Sequence, residues 1–197
     1  LLADVILALA SAAPALAERL ALGSLRGNPA EIVGTNDSGD KQKALDVAGH
    51  DHFSSVLATA SVHSVLSEEA EAAVKLDPAG RFDVAIDPID GSGSIGIGAP
   101  LGTLFGVFPG GGEFLRSGRD MVAAGYISIG HSLDMVFSVG DGVALATYDR
   151  SADAFRVTQP RHVMPDHAPS LAYNASNVGG WAEPLQAYVS DCLKGKD

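Results

Sequence analysis

The sequence predicts an α+β fold in which N-terminal helices pack on a largely antiparallel mixed sheet. Three observations carry this. Helical periodicity fills the first segment of the chain, strand-like runs fill residues 102–159, and regular β-α-β alternation is missing. The last point argues against a doubly wound nucleotide fold. With 197 residues, 46% of them apolar, the chain is long enough for one large domain, or one and a fraction, with a sizeable core.

The opening "LLADVILALASAAPALAERL" places apolar residues at 2, 5, 6, 9, 13, 16 and 20, one face of a helix with a kink expected at Pro14. It lacks a basic start and carries Asp4 early, so it reads neither as a secretory signal nor as a membrane span. The first residue is not Met, so further sequence is expected upstream. "GNPAEIVGTNDSGDKQ" has the Gly, Asn, Asp and Ser content of a loop. "KALDVAGHDHFSSVLATAS" predicts a second amphipathic helix, with acidic and histidine positions 46, 50, 51 and 52 gathered in one part of it.

"VHSVLSEE" predicts a short strand ending in two carboxylates, and "RFDVAIDP" a central strand, apolar on both faces from Val84 to Ile86. "GTLFGVFP", "AAGYISIG", "MVFSVGDGVALATYD" and "AFRVTQ" complete the sheet, with Gly140-Asp141-Gly142 as a hairpin turn. "EPLQAYVSDCLKGKD" closes as a helix with Pro184 in its first turn and Gly195 at its end.

Thirteen basic against 24 acidic residues give a net charge of −11. Nucleic acid and anionic membrane reward clustered Lys and Arg, so neither is an expected partner. An acidic total does suit carboxylates gathered around Mg²⁺ or Ca²⁺. The one cysteine, Cys192, rules out an internal disulfide, fits a reducing cytoplasm, and is expected to serve in packing.

The chemistry concentrates in "DVAIDPIDGSGSIGIGAP". Asp87-Pro88-Ile89-Asp90 has type I turn chemistry, which brings its two carboxylates to one point together with the Ile89 carbonyl. That is a hard-oxygen set suited to Mg²⁺. Gly91, Ser92 and Gly93 add permissive backbone and a hydroxyl that suit a phosphate. A capped turn with local Asx hydrogen bonds explains the same string. No Gly-Lys-Ser/Thr follows, and no helix opens after the glycines, so P-loop and dinucleotide readings fail. His50, His52 and His63 have no cysteine nearby and keep acidic company, so they are expected as solvated or capping residues, with no zinc role.

"VAIDPIDGS" resembles the D-P-x-D-G-S/T signature of the Mg²⁺-dependent, Li⁺-sensitive sugar and inositol phosphatases, and within them class I fructose-1,6-bisphosphatase. "GTNDSGDKQKALDV", "LSEE", "GTLFGVF", "MVAAGY" and "YNASN" are similar to that family's motifs in order and approximate spacing. The resemblance implies Glu68, Asp87, the Ile89 carbonyl and Asp90 as ligands of two or more Mg²⁺ or Mn²⁺ ions. It implies Asp90, Gly91, Ser92, Gly93 and Asn174 as substrate contacts. Asp40, Asp46 and Glu69 would orient and deprotonate the attacking water. The implied reaction removes the 1-phosphate of fructose 1,6-bisphosphate. Arg119 lies where the family contacts a regulatory nucleotide, although an ion pair is its plainer reading.

Where the family continues Ser-Asn-Ile-Asp, this sequence has Gly93-Ser94-Ile95-Gly96, and no tyrosine stands where the family places one shortly after Asn174, so Asn177 or Trp181 would have to serve. Those departures leave sedoheptulose bisphosphate, an inositol phosphate, or a catalytically silent metal-binding domain as rivals. By the resemblance, residues 1–197 form the N-terminal half of the fold with the C-terminal half missing. The protein is then expected in the cytoplasm as a homodimer or homotetramer, and the 197 residues alone are expected to turn over little.

Overall fold

The computed structural model describes residues 1–35, 41–168 and 170–195. They divide into two compact units, Leu1–His162 and Val163–Asp197.

In the first unit α1 spans Leu2–Ala21 and carries on through Pro14. Its buried stripe, Val5, Leu9, Ala12, Ala13 and Leu16, follows the predicted face. β1 (Ile32–Thr35) and β2 (Lys41–Lys43) pair antiparallel, so the segment expected as plain loop contains a small two-stranded sheet. α2 (Ala44–Leu57) buries Leu45, Phe53 and Leu57. Each such side chain contributes about 1.5–3 kcal/mol when fully removed from water. The His52 ring nitrogen stands 2.9 Å from the Ala12 carbonyl and ties α2 to α1, so His52 is no solvated residue.

The main sheet has eight strands. They are β3 (Val62–Ser67), β4 (Val74–Lys75), β5 (Phe82–Asp90), β6 (Leu101–Pro109), β7 (Ala123–Ile129), β8 (Leu133–Ser138), β9 (Ala144–Asp149) and β10 (Ala154–Gln159). Their spatial order is β10-β9-β8-β7-β6-β5-β3-β4. Every neighbouring pair is antiparallel except β3 and β5, which run parallel with Ser67 opposite Ile86. Val65, Val84, Ile86, Phe105, Val107, Ile127 and Met135 form one core with α1 and α2. The fold is therefore α+β, helices on a mixed and mostly antiparallel sheet, as the sequence predicts.

The parallel pair is what positions chemistry. It sets the carboxyl ends of β3 and β5 side by side, so the residues that follow each strand meet at one edge. α2 approaches that edge closely because residue 49 is glycine. A Cβ there would stand 3.2 Å from Pro88 Cβ and 3.3 Å from Ile89 Cδ1.

Two further expectations change. Asp87-Pro88-Ile89-Asp90 is no free-standing turn but the bulged end of β5. Asp87 pairs opposite Leu104 and Asp90 opposite Gly102, with the register breaking between them. The Thr103 hydroxyl donates to the Pro88 carbonyl at 2.8 Å, which holds the bulge against β6. His63 is no solvated residue either, since its Nδ1 stands 2.9 Å from Oδ1 of the fully buried Asp83.

In the second unit a 3₁₀ turn over Ala175–Gly180 precedes α3 (Glu183–Leu193), and the Tyr173 and Trp181 rings lie 5.9 Å apart. Among the described residues no helix is long and apolar enough to cross a membrane.

Candidate active site

At the shared edge of β3 and β5 lies a cavity of about 380 Å³ lined by Lys43, Asp46, Glu68, Glu69, Asp87 and Ile89 to Gly93. Each side chain arrives from a defined element. Glu68 and Glu69 follow the last residue of β3, and the Glu68 N–H donates to the Ile86 carbonyl at 3.1 Å, which locks that corner to β5. Asp87 to Asp90 come from the bulge. Gly91 adopts φ +82°, a left-handed conformation that favours glycine, and turns the chain into one 3₁₀ turn at Ser92–Ser94.

Asp46 comes from the first turn of α2, where its Oδ2 accepts from the Lys43 backbone N–H at 2.9 Å. It is buried, with 1% of its surface exposed. Burial pushes its carboxyl above the ordinary range, against the Lys43 hydrogen bond and charge that hold it down. Asp87 is pushed up to about 7, first by burial, then by a hydrogen bond shared with Glu68 and by the charges of Glu68 and Asp90. The Ile89 N–H donates to Asp87 Oδ1 at 3.0 Å and opposes this rise, so the Asx motif is present as well.

Two lining or supporting residues were not singled out from the sequence. The Gln42 amide donates to the Glu69 carbonyl at 2.9 Å and to Glu69 Oε2 at 2.7 Å, fixing that carboxylate. The Lys43 ammonium donates to the Ser92 carbonyl. Both looked like ordinary polar residues before a helix. The signal available was their position, immediately before Asp46 in a segment rich in acidic partners.

Of the residues singled out, the cavity brings together Asp46, Glu68, Glu69, Asp87, Ile89, Asp90, Gly91, Ser92 and Gly93. Asn174 belongs to the second unit. Asp40 lies outside the described residues.

Among the described residues no three His, Cys, Asp or Glu side chains form a ready coordination shell. What the chain offers is the Glu68–Asp87 pair, two acids sharing one hydrogen bond, and the buried, unpartnered Asp46 Oδ1. Hard oxygens crowded until one holds a proton fit a hard dication, whose binding removes that crowding. A larger hollow of about 840 Å³ opens along the sheet beside Leu104, Tyr126 and Val136. Its walls are mainly apolar, with Glu68 and Asp87 shared between the two, whereas Asp46, Glu69 and Asp90 line only the smaller one.

The family model for the fructose-1-6-bisphosphatase N-terminal domain matches residues 5–160. The chain belongs to the fructose-1,6-bisphosphatase family. It is 45% identical over 197 residues to the class 1 fructose-1,6-bisphosphatases of Brucella anthropi and Brucella ovis, covering 99% of this chain and 58% of each relative. The chain thus spans rather more than half the length of the curated relatives it matches. The holo form of Leishmania major fructose-1,6-bisphosphatase superposes with a TM-score of 0.83 at 25% identity, over 95% of this chain and 63% of that one. Fructose-1,6-bisphosphatases are metal-dependent in general.

Proposed function

We propose that the protein hydrolyses the 1-phosphate of fructose 1,6-bisphosphate to fructose 6-phosphate and phosphate, using Mg²⁺ held by Glu68, Asp87, the Ile89 carbonyl and Asp90. The observation that carries this is the convergence of five carboxylates, Asp46, Glu68, Glu69, Asp87 and Asp90, from three elements on a cavity of about 380 Å³ that Gly91, Ser92 and Gly93 also line. Bound Mg²⁺ supplies the positive charge that activates water and offsets the phosphoryl oxygens. Gly91, Ser92 and Gly93 hold the phosphoryl group, and Asp90 borders both it and the cation. Asp46, with its carboxyl already raised by burial, takes the proton of the attacking water. Glu69, clamped by Gln42, orients that water, and Asp40 assists from the segment before it. Asn174 contacts the sugar or the second phosphate. Residues 1–197 correspond to the N-terminal half of the family fold, and the assembly is a homo-oligomer.

The test is phosphate release by the intact protein from fructose 1,6-bisphosphate, sedoheptulose 1,7-bisphosphate and an inositol phosphate, each with Mg²⁺. Turnover greatest on the fructose ester supports the reading. Equal or greater turnover on another ester transfers the assignment to it, and none on any of the three rejects hydrolysis.

The metal reading makes a separate prediction. Asp87 holds a proton in the folded state up to about pH 7, whereas the unfolded chain releases it near the ordinary carboxylate value of 3.8. Its folded-state pKa is raised, so the metal-free fold binds the extra proton in that window and loses stability as pH rises through it. A dication displaces the proton and relieves the repulsion. Thermal melts are therefore expected to show a larger Mg²⁺-induced rise in Tm at about pH 8 than at about pH 5.5. Equal rises at both would remove Asp87 from the ligand set.

A further inference from the structure

Among the described residues four buried side-chain nitrogen or oxygen atoms lack a hydrogen-bond partner, and three of them sit on α2: Asp46 Oδ1, His50 Nδ1 and Ser54 Oγ. Buried polar atoms are almost always paired, with protein or with ordered water. Three on one helix, at four-residue spacing, is therefore a pattern that needs a partner. Positions i, i+4 and i+8 share a helix face, and each step rises about 6 Å. Two hydrogen bonds of about 2.8 Å, end to end, span nearly the same distance. One bridging water fits each gap, and internal waters with two or more polar partners are part of folded structures.

We propose that Asp46, His50 and Ser54 form a water-bridged polar stripe along α2, in which His50 is a positioning residue for the Asp46 carboxylate. The proposal rests on the reading of Asp46 as the base. Asp46 Oδ2 is held by the Lys43 N–H. Oδ1 has two lone pairs, one for the attacking water and one for the bridging water. The Lys43 N–H and the Ser92 side chain act on the carboxylate from the cavity side of α2, and neither reaches along the helix toward His50. Anchored at both oxygens, the carboxylate keeps Oδ1 aimed into the cavity. The helix beneath is itself pinned on either side of His50, by Gly49 against Pro88 and Ile89 and by His52 against Ala12. The stripe is thus built on a rigid support.

His50→Leu in the intact protein is expected to lower kcat about tenfold, the low end for loss of a supporting partner, with KM and Mg²⁺ affinity unchanged and Tm not lowered. His50→Asn, which returns a polar atom near the Nδ1 position, is expected to restore most of kcat. Independently, NMR cross-peaks from slowly exchanging water to His50 and Ser54 protons are expected in the native protein and lost in His50→Leu. Wild-type kcat in His50→Leu, or absent water cross-peaks in the native protein, overturns the proposal. If His50→Leu does not fold, the asparagine variant and the water signals decide it. Full activity of Asp46→Asn with the water signals intact is a different failure: it removes the base, and the positioning role with it.

Discussion

Asp87→Asn is expected to abolish the heat of Mg²⁺ binding and to lower kcat/KM by about 10³-fold, since one charge lost at contact range is worth about 4 kcal/mol at an effective dielectric constant of 20. The amide keeps the shape and the oxygen that accepts from the Ile89 N–H, so the bulge survives. What disappears is the negative charge that Glu68 and Asp90 now repel. The variant should therefore melt higher than the native protein when both are metal-free at alkaline pH, and should gain nothing from Mg²⁺. Loss of function with gain of stability is the expected signature of a site whose groups are crowded for a ligand. Calorimetric titration of Mg²⁺ or Mn²⁺ and parallel melts measure both. If the Asp-Pro-Ile-Asp segment were only a capped strand end, native and variant proteins would show no metal heat and no difference.

Much of this site was legible because its residues are consecutive or punctuated. Glu68-Glu69 ends an apolar strand, and Asp87 to Gly93 carries proline and glycine at fixed offsets. The strands after residue 101 were legible from β-rich runs separated by glycine turns. The β1–β2 pair was not, because Ile32 to Thr35 is a four-residue run inside turn-rich composition, and it becomes a strand only by pairing with Lys41 to Lys43. The bulge at Asp87–Asp90 was read as a turn because its chemistry is that of a turn. What extends it along β6 is the Thr103 hydroxyl, a contact fifteen residues away in sequence. Gln42 acquires its role from Glu69, twenty-seven residues on, and its place just before Asp46 is the only local hint of it. The parallel pairing of β3 with β5, which brings the acids together, is likewise non-local.

Asp83→Asn is expected to destabilise the protein by about 3–5 kcal/mol, the cost of breaking a buried charge pair from one side. Asp83 is fully buried on β5, opposite Ser64 of the parallel β3, and its two oxygens are filled by four donors. Oδ1 takes Ser64 Oγ at 2.6 Å and His63 Nδ1 at 2.9 Å. Oδ2 takes Arg116 Nη2 at 3.1 Å and the Gly112 N–H at 3.3 Å. An asparagine amide has only one acceptor, so either rotamer turns an NH₂ toward donors and leaves the Arg116 guanidinium, stacked 4.6 Å from the Phe108 ring centroid, without its counter-charge. Burial alone would raise the Asp83 carboxyl, yet the bonds from Ser64, His63 and Gly112 hold it below its ordinary value. A depressed folded-state pKa stabilises above the unfolded value of 3.8 and is lost as pH falls through the folded one. The gap between native and variant proteins should therefore be full at neutral pH and shrink below about pH 4. Urea unfolding should show a lower midpoint with an unchanged slope. Asp83 lies four residues before Asp87 on β5, about 13 Å along the strand. The folded variant should accordingly retain native Mg²⁺ affinity. A variant that kept its stability but lost Mg²⁺ would move Asp83 from scaffold to site, and nothing in its four hydrogen bonds points there.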